Sequence, residues 1–163
     1  MIRHKLDPAQ LRANIEKEQA SWFRSAKEKT RRSKELRRFE DPSPIWSKAK
    51  PAFMILQSNK CAFCERPFTG PEESRIEMDL EHFRPKGAVS AWEGPSPPTS
   101  YPLNTGTASA NGYYWLAHDI SNYLAACKIC NSDYKGTYFP VAGPRCADPD
   151  DLPALAAEQP YLV

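Results

Sequence analysis

Four of the five cysteines fall into two pairs of identical spacing, Cys61-x-x-Cys64 and Cys127-x-x-Cys130. A C-x-x-C turn presents both of its sulfurs to one ion, and four thiolates complete a tetrahedral zinc shell with no position left for water. The 62 residues between the pairs mean that such a metal staples distant parts of the chain, which is a structural role. An iron–sulfur cluster is the competing occupant. Redox chemistry at one pair fits poorly, because a thioredoxin-like motif needs a single C-x-x-C opening a helix in a βαβ unit. Cys146 is left over as a bystander thiol.

A second group, Asp79-Leu80-Glu81-His82 followed by Pro85 and Lys86, has the residue types of metal-assisted phosphodiester hydrolysis. Ile76, Met78 and Leu80 alternate with Glu77, Asp79 and Glu81, the period of a strand. With the apolar set facing a core, Asp79 and Glu81 share the accessible face and His82 closes the strand. A hard dication such as magnesium prefers oxygen ligands, so Glu81 can hold it, with Asp79 competing on the same face. His82, neutral near pH 7, can take the proton from an attacking water.

The third group is Asn122-x-Leu124-x-x-Cys127-x-x-Cys130-Asn131 with Lys135 following. With all three groups in this order over about residues 61–140, the sequence resembles the HNH endonucleases, the zinc-containing branch of the ββα-metal nucleases. The resemblance implies a DNA-cutting enzyme in which His82 is the general base. Glu81 and Asn131 would hold the catalytic cation, Asn122 would brace the loop bearing the base, and Lys135 and Lys86 would contact phosphate. Two departures stand out: 40 residues separate His82 from Asn122, and Glu81 stands where Asp or His is common in the family. The stretch GYYWLAHDISNYL and the later Gly136-x-x-Phe139-Pro140 look like a subgroup of small stand-alone HNH proteins. Some of these serve bacterial anti-phage defence beside an ATPase subunit, which implies a larger ATPase or other defence-system subunit docking on the N-terminal helices. The rival from another class is a non-catalytic zinc module that binds nucleic acid or a protein.

These residues need elements to position them. Asp7-Pro8 reads as an N-cap and first helical residue, and residues 9–40 lack both Pro and Gly, which predicts one long helix or two. Leu11, Ile15, Trp22, Phe23 and Ala26 form the apolar stripe, continued by Leu36 and Phe39, and Asp41-Pro42 ends it. Pro51 kinks or restarts the next apolar segment. Asp119 or Ser121 caps a helix through Tyr123, Leu124 and Ala125 into Cys127, with a further turn near Asn131. The expected organisation is a basic helical arm (1–58), a zinc-stapled core (59–141) with an irregular insertion at 88–117, and an extended proline-rich tail (142–163). The fold class is α+β: a ββα-metal core with a four-Cys structural zinc site and an N-terminal helical extension. His118 reads as a packed or capping histidine, His4 has no evident partner, and Trp22, Phe23, Trp46, Tyr113, Tyr114 and Trp115 read as core.

Composition bounds the function classes. No apolar run approaches the roughly 18 residues of a membrane span, and mean hydropathy is −0.64. The basic N-terminus is followed by no apolar stretch of the secretory kind, so the expected location is the reducing cytoplasm. The net charge of +2 conceals a split: residues 1–50 hold 14 Lys/Arg against 7 Asp/Glu, and the remainder 8 against 13. A basic arm on a more acidic body suits a nucleic-acid partner.

Overall fold

The computed structural model describes residues 7–68, 70, 76–94 and 104–161. His4, Arg75, Pro95, Pro97, Pro98 and Pro102 lie outside the described residues. Among the described residues, no helix is long and apolar enough to cross a membrane.

The arm is two helices. Helix α1 (Pro8–Glu18) starts under Asp7, whose carboxylate accepts from the Ala9 and Gln10 amides at 2.8 and 3.4 Å. Gln19 then turns extended, and α2 spans Trp22–Leu36. It stops at Arg37 in the left-handed region (φ 53°), five residues before Pro42. The amides of Arg37 and Arg38 turn back to the carbonyls of Lys34 and Ser33, so a left-handed C-cap ends this helix before proline can. Leu11, Ile15, Trp22 and Ala26 are buried as the stripe predicts, whereas Leu36, at the end of α2, is exposed; the Trp22 indole donates to the Ile45 carbonyl at 3.1 Å. A 3-10 turn (Trp46–Ala49) leads into α3 (Lys50–Leu56), where Pro51 sits in the first turn and starts a helix instead of kinking one.

The sheet is one antiparallel pair, β1 (Met78–His82) and β2 (Tyr123–Cys127). Its register puts Met78 opposite Cys127, Glu81 opposite Leu124 and His82 opposite Tyr123. The helix expected through Tyr123, Leu124 and Ala125 is therefore a strand. Tyr123, Ala125, Ala126 and Cys127 are all buried, so neither face is polar and no alternation marks the strand in the sequence. The Gln57 amide completes its outer edge: Nε2 donates to the Ala125 carbonyl at 3.0 Å, and Oε1 accepts from the Ala125 amide at 2.8 Å. Ile76, expected inside the strand and facing the core, precedes it in a helical turn and is 53 % exposed.

After β2 the chain enters a π helix, Ile129–Lys135, and its wide turn is closed by the Gly136 amide on the Asn131 carbonyl at 2.7 Å. The first core joins α1, α2, α3, the sheet and three of the paired cysteines. A second core holds Val89, Tyr113, Tyr114, Trp115, Leu116, Phe139, Val141 and Cys146. The end of the insertion is thus packed interior, with a 3-10 turn at Tyr114–Leu116. The tail, expected to be extended, carries a short helix, Leu152–Ala157, capped by Asp151, and tucks Glu158 inside.

Candidate functional site

The four paired cysteines converge, their sulfurs all within 4.8 Å of one another. Cys64 Sγ and Cys127 Sγ are 3.8 Å apart, which matches the roughly 3.8 Å edge of a tetrahedron with Zn–S bonds of about 2.3 Å. Cys61 Sγ accepts from the Cys127 amide at 3.3 Å and Cys127 Sγ from the Cys130 amide at 3.4 Å. Burial pushes the Cys61 thiol up, but the amides of Cys64, Cys127 and Phe63 prevail and bring it down to about 7. Burial and neighbouring sulfurs push Cys127 and Cys130 up. Four sulfurs so placed could hold one metal ion, and the donor set fits zinc. The cluster joins the Cys61–Cys64 turn to the end of β2 and the start of the π helix.

The π helix lies along one face of β1. Asp79 and Glu81, two residues apart on the same face of the strand, meet Asn131 and Lys135 of this helix. Asn131 Nδ2 donates to Asp79 Oδ2 at 3.2 Å, and Lys135 Nζ to Glu81 Oε1 at 2.5 Å. Lys135 is 5 % exposed, so each charge of the pair depends on the other. Two further cations feel these carboxylates. Burial lowers the Lys50 pKa while Asp79 raises it, and burial lowers that of Lys86 while Glu81 raises it. The Lys86 ammonium rests on the Trp46 and Phe39 rings, 4.7 and 5.6 Å from their centroids.

His82 lies on the opposite face of β1, inward with Met78 and Leu80, and is 2 % exposed. Its ring stands edge-on to Trp46 and Tyr123, with centroids 4.9 and 5.0 Å away. Nε2 is 2.9 Å from the Ala117 carbonyl. A carbonyl only accepts, so Nε2 carries the proton and Nδ1 keeps the lone pair. Burial, then the charge of Lys86, hold the imidazolium pKa down to about 3, so the ring is neutral near pH 7.

The loop after His82 is tightly held. Asn122 accepts from the Arg84 amide at 2.8 Å and donates to the Arg84 and Leu116 carbonyls at 2.9 and 3.3 Å. Gly112 (φ 52°) has no room for a side chain, since a Cβ would lie 1.7 Å from the Gly87 carbonyl oxygen. From the tail, Glu158 accepts from Arg84 Nε at 2.9 Å, the Tyr113 hydroxyl at 2.6 Å and the Cys146 amide at 2.7 Å.

The structure thus brings Asp79, Glu81, Asn131 and Lys135 to one face of β1, with His82 on the other, and Lys86 and Lys135 act electrostatically on His82. Cys146 donates its thiol to the Asp148 carbonyl at 3.2 Å, remote from the cysteine cluster. Sequence reasoning missed three groups: Gln57, Glu158 and the Ala117 carbonyl. A glutamine at the end of an apolar run and a glutamate in a proline-rich tail carry no local signal, and a main-chain carbonyl is invisible to residue type. Comparison of the chain with protein-family models, with curated proteins and with solved structures found no match.

Proposed function

We propose that the protein is a metal-dependent endonuclease of the HNH type that hydrolyses DNA phosphodiester bonds. The observation that carries this reading is the convergence of two carboxylates, an amide and an ammonium, Asp79, Glu81, Asn131 and Lys135, beside a neutral histidine whose Nε2 proton is committed to a carbonyl. Two carboxylates and an amide oxygen are hard donors of the kind magnesium takes, and Asp79, Glu81 and Asn131 would hold that cation. When bound, it would stabilise the leaving oxygen and the charge of the transition state.

The chain's own residues supply the rest. His82 Nδ1 accepts the proton of the attacking water. Lys86, resting on its aromatic platform, meets a phosphate oxygen, and Lys135 does so while sharing Glu81. An anion among these lysines offsets the positive charge that depresses His82 and so raises its basicity in the complex. Asn122 keeps the loop of Arg84 from moving the base. The outer faces of α1 and α2 are the surfaces proposed for DNA or for a larger ATPase subunit of a defence system.

A second reading, a non-catalytic zinc module binding nucleic acid or protein, is favoured by the burial of His82 on the face opposite Glu81. Supercoiled DNA and RNA, each with and without magnesium, separate the two. Magnesium-dependent cleavage that falls roughly 10²- to 10⁴-fold in a zinc-retaining His82→Ala protein supports the nuclease. Equal rates in the two proteins, or cleavage of neither substrate by the wild type, support the module.

A further inference from the structure

The carbonyl that fixes His82 belongs to Ala117, and it also accepts from the Tyr123 hydroxyl at 2.6 Å. The next residue, His118, has no exposed side-chain surface. Its Nε2 is 3.1 Å from Asp41 Oδ2, and Asp41 Oδ1 accepts from Lys29 Nζ of α2 at 2.6 Å and from the Ser43 amide at 3.0 Å. The His118 ring leans on Trp46, and His82 meets the same indole (centroid distances 5.9 and 4.9 Å). Among the described residues, buried His118 Nδ1 has no hydrogen-bond partner. An unpaired nitrogen in this place costs stability that an apolar ring of the same shape would not. The side chain therefore does something a phenylalanine could not, and the bond it makes is the one from Nε2 to Asp41.

We propose that His118, held by Asp41 and Lys29, is a positioning residue for His82. It anchors the 117–118 peptide so that the Ala117 carbonyl takes the His82 Nε2 proton and leaves Nδ1 as the basic nitrogen. The arm is on this account part of the site, since Lys29 and Asp41 belong to its α2 and to the segment that follows. The catalytic half of the proposal rests on the nuclease reading, whereas the tautomer of His82 does not.

The test reads ring nitrogen-15 shifts in zinc-loaded protein with labelled histidine, His82 being assigned by its loss in His82→Asn. The wild type is expected to show His82 as a single Nε2–H tautomer. In His118→Phe, which keeps the ring and loses the donor, both tautomers are expected. In His118→Gln, whose amide can still donate to Asp41, the single tautomer returns. DNA cleavage in His118→Phe is expected to fall about 10- to 100-fold in kcat with KM unchanged. Lys29→Met, a change at a partly exposed position, keeps the test available should His118→Phe not fold, and it is expected to move the tautomer the same way. A single Nε2–H tautomer persisting in folded His118→Phe, or in Lys29→Met where His118→Phe does not fold, overturns the proposal, as does its absence from the wild type. A wild type that cuts nothing while the tautomers shift as expected overturns the nuclease reading alone.

Discussion

His82 carries a measurable signature of its surroundings. Its folded-state pKa, held down to about 3 by burial and by Lys86, lies below the roughly 6.5 of an exposed histidine. The unfolded chain therefore binds the extra proton first, and the contribution of this group to stability is whole above about pH 6.5 and lost progressively toward pH 3. Urea unfolding across that range is expected to show up to about 1.4 kcal/mol of lost stability per pH unit from this residue. The zinc thiolates also titrate, so the quantity to measure is the difference between wild type and His82→Asn. A difference independent of pH would contradict the buried, neutral ring. At this scale the sequence names residue types well and partners poorly. Asp79 and Glu81 are legible from type and spacing and Asn131 and Lys135 only through the family resemblance, but the pairing of Lys135 with Glu81 is set by where a helix meets a strand.

At the scale of elements, the junction between β2 and the π helix depends on Cys127 and Cys130. Chelating the metal is expected to release one zinc per chain to a colorimetric indicator and to lower the unfolding free energy by several kcal/mol. The altered junction would also separate Asn131 from Asp79, so magnesium alone should not restore cleavage to the stripped protein. Unchanged melting after full chelation would count against a structural zinc. The cysteine spacing and the strand ending at His82 are legible in the residues themselves, because period and ligand spacing are local. The second strand is not. Tyr123 to Cys127 has helix-compatible residues, and what makes it extended is pairing with β1 on one side and the Gln57 amide on the other, contacts that span 45 and 68 residues at Leu80 and Gln57.

For the molecule as a whole, the two cores are tied across the site. Arg84 links the loop after His82 to Glu158, whose side chain is 1 % exposed, and Lys34 of α2 reaches Asp150 of the tail at 2.8 Å. Glu158→Ala leaves Arg84, the Tyr113 hydroxyl and the Cys146 amide without their shared acceptor. The expected loss is about 2–4 kcal/mol, below the full value for a buried pair because Arg84 keeps 20 % of its side chain exposed. Denaturant unfolding with zinc bound measures it, and a change under about half a kcal/mol would mean that the strap contributes little. Composition exposes the arm through its charge, and proline content suggests a loose tail. The burial of Glu158 is illegible there because it is decided by residues 74 and 45 positions earlier in the chain.

That strap also sets an order of events during synthesis. A ribosome adding about 5–20 residues per second emits His82 roughly 4–15 s before Glu158, and Arg84 waits through that interval for its counter-ion. The loop carrying the proposed base thus gains its side-chain anchor only after Glu158 has been added, 74 residues beyond Arg84.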